Sequence, residues 1–353
     1  MTTAPAANYS AGLPVEIGKI DRELKKLWEQ GGEVMTRASL INLAVYSGDP
    51  ASLAENTRIV SEITREHACR AIVIAADPHA GVDQAEAWIS AHCHISRAGG
   101  KQVCSEQISF ALSGCYIGML SSVVFSHLDS DLPFYLWWQG ELPDPIDPQL
   151  WTWVDRLIYD SAPWKNFEEQ ARLVEAAQAE AHHRVVLCDL NWTRLVQIRL
   201  AVAQFFDGVA SRKSLNDIQR VEITFAPGFR TTAVLLVGWL AAQLRWQKSA
   251  QFGANALHFV DTSENTISVT LREAHGEPIS RCTIACGESE YRVEHPTGAD
   301  LLRVTAHTNG AERMHQLMPA GSDDPVQLMR EELMRGGPHR VYLRAVKAVR
   351  ELM

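Results

Sequence analysis

The chain has 353 residues, enough for two domains, because single hydrophobic cores stop growing near ~250 to 300 residues. Its hydrophobic content of 46% and charged content of 21% are ordinary values for a folded globular protein. The formal net charge is −9, and the sequence contains no block of basic residues. The chain therefore lacks the positive surface that nucleic acid requires. We therefore expect no nucleic-acid partner.

The start of the chain and its apolar stretches bear on location. Residues 1–14 are small and polar and show no signal-peptide pattern. The longest apolar stretch, Ala233 to Leu240, is far shorter than the ~20 residues of a membrane span. Seven scattered cysteines do not make a secreted disulfide framework, so we expect each to pack as a small hydrophobe. The sequence predicts a cytoplasmic protein without a membrane partner.

Strands and helices alternate through the first half of the sequence. Residues 40–46 and 71–76 are predicted strands on either side of a helix at about 51–69, which makes one parallel β-α-β unit. Further strands are predicted at 85–95, 103–112, 134–138 and 156–159, and helices at 20–28, 113–128, 149–154 and 167–181. This alternation predicts an α/β domain over residues 1–182 with a doubly wound mixed sheet.

The second half, residues 183–353, starts as α/β and then changes its period. A strand at 221–225 precedes a strongly apolar helix at 231–246. Beyond Gly253, apolar and polar residues alternate with period two, which indicates antiparallel strands. These strands are predicted at 266–271, 280–285, 290–294 and 301–306. We predict a second α/β domain that ends in an antiparallel section and C-terminal helices.

The most informative segment runs from Asp189 to Leu195 (DLNWTRL). It follows the apolar strand 185–188 and opens a helix, with Asn191 as the expected N-cap. The helix then carries one apolar stripe, formed by Leu195, Ile198, Val202 and Phe205. The turn therefore lies at the carboxyl end of a strand, where open α/β sheets meet ligands and partners.

This turn and three other segments resemble the OpcA family, the bacterial glucose-6-phosphate dehydrogenase assembly proteins. The other segments, in the same order, are 131–138, 155–161 and the tail 331–342. Where the family motif continues with Pro-Trp-Arg, this chain has Gln197-Ile198-Arg199 and keeps only the arginine. The resemblance implies a non-catalytic protein that binds glucose-6-phosphate dehydrogenase and favours its active oligomer, as an allosteric activator in the oxidative pentose phosphate pathway.

Aromatic residues supply the candidate partner site. The chain has ten tryptophans, and core packing explains most of them, but tryptophan and arginine also anchor protein interfaces. On a strand, Trp137 and Trp138 face opposite sides, so one of them can be presented at the sheet edge. We expect Trp192 and Arg194 at an exposed helix N-terminus, then Trp138. The predicted partner-binding residues are Trp192, Arg194, Asp189, Asn191, Arg199 and Trp138.

Cofactor and nucleophile motifs are absent from the sequence. No G-x-G-x-x-G follows the first strands, no P-loop exists, and no nucleophile elbow is present, so we predict no cofactor and no catalytic residues. His92 and His94 flank a cysteine and would share one face of a strand, but satisfied histidines are the commoner interpretation. Cys282 and Cys286, if both lie in one strand, are ~13 Å apart and cannot form a disulfide.

Two rival functions remain open. One is an enzyme acting on a sugar phosphate or nucleotide sugar, with Asp129 and Asp131 holding a metal ion and the Asn191 helix N-terminus binding phosphate. Capping of a turn before Leu132-Pro133 explains the same two aspartates. The other rival is a sensor in which a small metabolite binds that edge and tunes affinity for a partner.

Overall fold

The computed structural model describes residues 12–30, 35–95, 102–114, 120, 122, 126–144, 152–181, 184–249 and 256–352. The chain divides into two compact units. Unit 1 comprises residues 1–159, 173–188 and 325–336, and unit 2 comprises residues 160–172, 189–324 and 337–353. The domain boundary placed after residue 182 stays a prediction.

Nine strands within the described residues form the sheet of unit 1. They are β1 (Leu13–Val15), β2 (Met35–Arg37), β3 (Ile41–Ser47), β4 (Cys69–Asp77), β5 (Gln84–Ile95), β6 (Gln102–Ser113), β7 (Phe134–Gln139), β8 (Arg156–Tyr159) and β9 (Val186–Asp189). The order is β1-β5-β6-β4-β3-β7-β8-β9, and β2 pairs with β6. The central pairs are parallel, whereas β5 runs antiparallel to β1 and β6. The predicted α/β class with a mixed sheet is confirmed.

Helices follow several of these strands in both units. They are α1 (Ile20–Gln30), α2 (Leu53–Ile63), α3 (Phe167–Glu180), α4 (Leu190–Arg194), α5 (Val196–Gln204), α6 (Val209–Lys213), α7 (Arg230–Leu244), α8 (Pro325–Met334) and α9 (Arg340–Leu352). The residues of β3 from 42 to 47 and of β4 from 71 to 76 are all buried, as expected for parallel strands covered on both faces. None of the described helices has both the length and the apolar character that crossing a membrane requires.

Unit 2 is built on a second sheet, which has eight strands in the described residues. The first four are β10 (Ile218–Phe225), β11 (Gln247–Lys248), β12 (Ala256–Val260) and β13 (Thr266–Glu273); the last four are β14 (Ile279–Cys286), β15 (Ser289–Glu294), β16 (Leu301–Thr308) and β17 (Ala311–Pro319). Their order is β11-β12-β13-β10-β14-β15-β16-β17. Only the pair β10–β13 is parallel among these, so the predicted antiparallel section and C-terminal helices are confirmed.

The cysteines behave in two ways. Cys282 and Cys286 both lie in β14 and are free and buried, which confirms that strand geometry keeps them apart. Cys93 and Cys104, however, lie directly opposite each other on β5 and β6 and form a disulfide, with Cα atoms 4.1 Å apart. The expectation that every cysteine packs as a free thiol is therefore wrong for this pair, because antiparallel pairing brings the two together.

Two predicted helices lie largely outside the described residues. In the segment predicted as a helix at 113–128, Ser113 ends β6, Gly114 is in a 3-10 conformation, and among the residues described only 120, 122 and 126 are α-helical. In the segment 149–154, residues 152 and 153 are helical, while residues 149–151 are not described.

Close packing of two helices in unit 2 depends on Gly238, in the middle of α7. A Cβ atom at this position would lie 2.4 Å from Val349 Cγ2 and 2.7 Å from the Ala345 carbonyl oxygen, both on α9. Contacts this short cannot be tolerated without separating the helices.

We predict that Gly238→Ala lowers the free energy of unfolding by about 1 to 3 kcal/mol, although alanine is the better helix former. Gly48→Ala is the matched control, because nothing lies within 4 Å of the added Cβ. Chemical denaturation of both variants checks this, and equal stabilities would contradict the close helix contact.

Candidate functional site

The turn after β9 is held by Asp189. Its backbone is extended, and its Oδ1 accepts a hydrogen bond from Asn191 N at 2.9 Å, which makes Asp189 the N-cap of α4. Asn191 is therefore not the N-cap, because the helix begins two residues earlier than its sequence pattern predicts. The apolar stripe of the following helix is confirmed, since Leu195, Ile198 and Val202 are buried.

Asp189 and Asn191 are the centre of a buried polar network in unit 2. Asp189 is 2% exposed, and it accepts hydrogen bonds from Ser161 N at 3.0 Å and from Ser161 Oγ at 2.6 Å. The Asn191 side chain donates to Ser161 Oγ at 3.0 Å and accepts from Thr232 Oγ1 at 2.6 Å. The turn, the segment after β8 and α7 are thus tied together by side chains that have no access to water.

Arg194 adds the charge of this network. Its Nη2 lies 2.8 Å from Asp160 Oδ2, its Nε donates to Asp323, and its Nη1 donates to Asn191 Oδ1 at 3.2 Å. The guanidinium carbon also lies 5.5 Å from the ring centroid of Phe229. With two carboxylates and an amide oxygen as partners, Arg194 is committed to contacts inside unit 2.

Trp192 is packed between two other side chains. The guanidinium of Arg199 lies 3.4 Å from the centroid of its ring, and the ring of Tyr342 is 5.7 Å away. Arg199 Nη2 also donates to the carbonyl oxygen of Trp192 at 3.1 Å. The indole is therefore part of the core of unit 2.

The expected exposure of the turn is wrong. Trp192 is 3% exposed, and the Arg194 side chain is 7% exposed, because partners distant in sequence cover both. Trp138 is buried as well: it stacks on Tyr46 at 3.9 Å and donates to the Glu141 carbonyl oxygen at 3.0 Å. The structure brings Asp189, Asn191, Trp192, Arg194 and Arg199 together and leaves Trp138 in unit 1. Partner binding by these six residues stays a prediction.

Burial and nearby charges shift the pKa values of this network. Burial, together with the neighbouring Asp160, raises the pKa of Asp189 to about 7, although hydrogen bonds from Ser161 and Asn191 act in the opposite direction. Burial by itself would lower the pKa of Arg194, but Asp160 and Asp323 outweigh it, so that the pKa rises and the guanidinium stays charged. Burial raises the pKa of Asp323, and Arg194 offsets part of that rise.

Aspartates cap four strand ends in the same way. Asp77 and Asp189 are the last residues of β4 and β9, and Asp49 and Asp160 follow the ends of β3 and β8. Each of the four accepts a hydrogen bond from the backbone N–H two residues further on, at 2.9 to 3.1 Å. Asp49 and Asp189 precede helices, whereas Asp77 and Asp160 precede turns. Each carboxylate occupies one backbone donor of its turn.

The rival metal site at Asp129 and Asp131 is a capped turn. Asp129 Oδ1 accepts from Asp131 N at 3.2 Å, and the Asn42 side chain bonds both Asp129 N and Asp129 O at 2.9 Å. His92 contacts Gln107 Oε1 at 2.9 Å, and His94 contacts Thr64 Oγ1 at 3.2 Å. Among the residues that the structure describes, none of these side chains belongs to a cluster of three potential metal ligands.

Sequence reasoning missed four members of the network. They are Asp160, Ser161, Thr232 and Asp323. Asp160 and Ser161 lie in one of the segments that carries the family resemblance, so a signal for them existed. Thr232 and Asp323 had none, because only the fold brings them to the turn.

We predict that stability falls as pH rises from about 4 to about 7, by roughly 2 to 4 kcal/mol from this group. The folded chain, in which the pKa of Asp189 is about 7, holds a proton over this range that the unfolded chain, with a pKa near 3.8, has lost. Denaturation at several pH values checks this. Asp189→Asn should flatten the slope and the exposed Glu168→Gln should not; an unchanged slope in Asp189→Asn would contradict the assignment.

We also predict that Trp192→Ala destabilises the chain by about 3 to 5 kcal/mol, because it empties a packed core position. The exposed Trp153 is the matched control, and Trp153→Ala should change stability by no more than about 0.5 kcal/mol. Similar losses in the two variants, measured by urea denaturation, would show that Trp192 is not a core residue.

Both parts of the chain match one protein family. Residues 60–177 match the model described as the glucose-6-phosphate dehydrogenase subunit N-terminal domain, and residues 185–346 match that of the C-terminal domain. A relative from Nostoc punctiforme, "Putative OxPP cycle protein OpcA", is 30% identical over 226 residues, which is 61% of this chain and 47% of the relative. A protein of the same name from Synechocystis sp. is 28% identical over 196 residues, 54% of this chain and 40% of the relative.

The chain thus matches less than half the length of these two relatives. Solved structures show a weaker likeness. An oxidoreductase from Bacillus cereus has a TM-score of 0.47 and 11% identity, covering 88% of this chain and 94% of that chain. An aldose-aldose oxidoreductase from Caulobacter crescentus has a TM-score of 0.46 and 9% identity, covering 87% and 94%. Such low scores carry no argument about function. The family models and the OpcA relatives agree, and this chain belongs to the OpcA family of glucose-6-phosphate dehydrogenase assembly proteins.

Proposed function

We propose that this chain binds glucose-6-phosphate dehydrogenase in the cytoplasm and favours its active oligomer, without catalysing a reaction itself. The identity of the partner rests on the family descriptions, which name a subunit of that enzyme. The names of the relatives refer to the OxPP cycle, which fits an enzyme of the oxidative pentose phosphate pathway.

The observation that carries the non-catalytic part of the proposal is the capping of the strand ends. Each of four aspartates occupies a backbone donor at a strand end, the kind of position at which α/β enzymes hold phosphates and cofactors. The network around Asp189 is similar, because its members donate and accept hydrogen bonds among themselves. Polar groups that are hydrogen-bonded within the protein are not available to a substrate. Strand ends of this kind therefore suit a rigid docking surface better than a catalytic site.

An activator of this kind works by differential affinity. It shifts the equilibrium of its partner only as far as it prefers the active conformation or oligomer over the inactive one. A tenfold activation needs a preference of about 1.4 kcal/mol. A small number of well-packed contacts can supply that free energy.

We place the partner surface next to the turn, on the outer side of α5. Four of the predicted residues are buried, namely Asp189, Asn191, Trp192 and Arg194. Their proposed role is therefore to support α5 from the protein interior. α5 begins two residues after Arg194, and its Leu200 is 53% exposed, so it offers an apolar side chain to a partner. Arg199 is half-buried on the same helix.

Sedimentation velocity tests the proposal directly. Glucose-6-phosphate dehydrogenase from the same organism is run alone and with increasing amounts of this chain. We expect the chain to sediment with the enzyme and to increase the fraction of its larger, active species. Separate sedimentation of the two proteins at micromolar concentrations, with an unchanged distribution of the enzyme, would refute the proposal.

We predict that Leu200→Asp weakens the complex at least about tenfold, because it places a charge in an apolar contact. Val82→Asp in unit 1 is the matched control, since Val82 is 68% exposed and remote in sequence from the turn. Titration calorimetry measures both affinities, and thermal melts establish that both variants are folded. Equal affinities of the Leu200→Asp and Val82→Asp variants would show that α5 is not part of the docking surface.

A further inference from the structure

A groove in unit 1 lies between α1 and the sheet. Lys25 and Trp28 line it from α1, and Arg37, Arg70 and Glu106 line it from β2, β4 and β6. Its volume is about 630 Å³. Pockets for small molecules have volumes of roughly 300 to 1,000 Å³, so this α1 groove has room for a metabolite.

Glu106 organises the floor of the α1 groove. It is 1% exposed; its Oε1 accepts from Arg37 Nη2 at 2.7 Å and lies 2.9 Å from Arg70 Nη1, while its Oε2 accepts from Trp28 Nε1 at 3.1 Å. One buried carboxylate therefore fixes two guanidinium groups and an indole. Side chains fixed in advance lose little conformational entropy when a ligand binds.

Three cationic side chains and three acidic ones line the α1 groove, namely Lys25, Arg37 and Arg70 with Asp21, Glu29 and Glu106, and its floor holds two guanidinium groups with one carboxylate. Two guanidinium groups share the single carboxylate of Glu106, and among the described residues Arg70 Nε is buried without a hydrogen-bond partner. The other ion-pair partner of Arg70 is Asp21, which is 3.8 Å away and mostly exposed to solvent. Each guanidinium has five N–H donors and Glu106 engages only part of them, so the remaining N–H groups of the exposed Arg37 can donate to an incoming anion.

We propose that the α1 groove binds a small organic anion, namely a phosphate or carboxylate carried on a carbon skeleton. Arg37 and Arg70 bind the anionic group, since planar guanidinium groups match the oxygens of carboxylates and phosphates. Lys25 adds positive charge at the rim. The half-buried ring of Trp28, fixed by Glu106, packs against the carbon skeleton.

Titration calorimetry on the whole chain, without any partner protein, tests this site with four probes: glucose 6-phosphate, gluconate, inorganic phosphate and glucose. We expect one molecule of glucose 6-phosphate or gluconate to bind, phosphate to bind more weakly because it lacks the carbon skeleton, and glucose not to bind. Failure of all three anions to bind with a Kd below about 1 mM would overturn the site. That outcome leaves the dehydrogenase proposal unaffected, because no partner is present.

Variants separate a binding site from an ion pair that merely joins α1 to the sheet. Arg37→Ala should weaken anion binding at least about tenfold, and Arg37→Lys should restore only part of it, because lysine lacks the guanidinium fork. Lys25→Glu reverses a rim charge without touching Glu106 and should weaken binding about fivefold or more. Arg58→Ala on α2 is the control, since Arg58 is an exposed arginine paired with Glu55. Unchanged affinity in both Arg37→Ala and Lys25→Glu, or an equal loss in Arg58→Ala, would contradict the proposal.

Discussion

The buried carboxylate of Asp189 is the constraint on which unit 2 depends. It caps α4 through Asn191 N and holds Ser161 by two hydrogen bonds. Through the side chain of Asn191 the same network reaches Thr232 on α7 and Arg194. Removing one member leaves several buried donors or acceptors without partners, and each such group costs about 1 to 3 kcal/mol. The turn, the segment at Ser161 and the helices α4 and α7 are therefore stabilised together.

This constraint also shapes what the chain can do. A carboxylate that accepts a backbone N–H of a strand-end turn occupies one donor that a ligand could otherwise use, and the chain repeats this at Asp49, Asp77 and Asp160. In the role proposed for this chain, strand ends satisfied in this way support a docking surface.

The sequence predicted elements whose signals are local. The unit from β3 to β4 followed from two apolar runs and a turn, and the antiparallel strands of unit 2 followed from their alternation. It could not predict burial of the turn, because Arg194 is covered by partners 34 and 129 residues away. Nor could it pair Cys93 with Cys104, since strand register decides that contact. β17 was missed because most of its residues are exposed and show no alternation.

The central claim is that this chain acts through the free energy of docking and not through chemistry of its own. The most direct measurement is the initial rate of glucose-6-phosphate dehydrogenase across substrate concentrations, with the chain absent, present in substoichiometric amounts and present in excess. The account predicts no turnover by the chain alone and an activation of the enzyme that saturates once the chain reaches a fixed stoichiometry. Turnover by the chain alone, or an enzyme rate that is identical at every ratio, would contradict it.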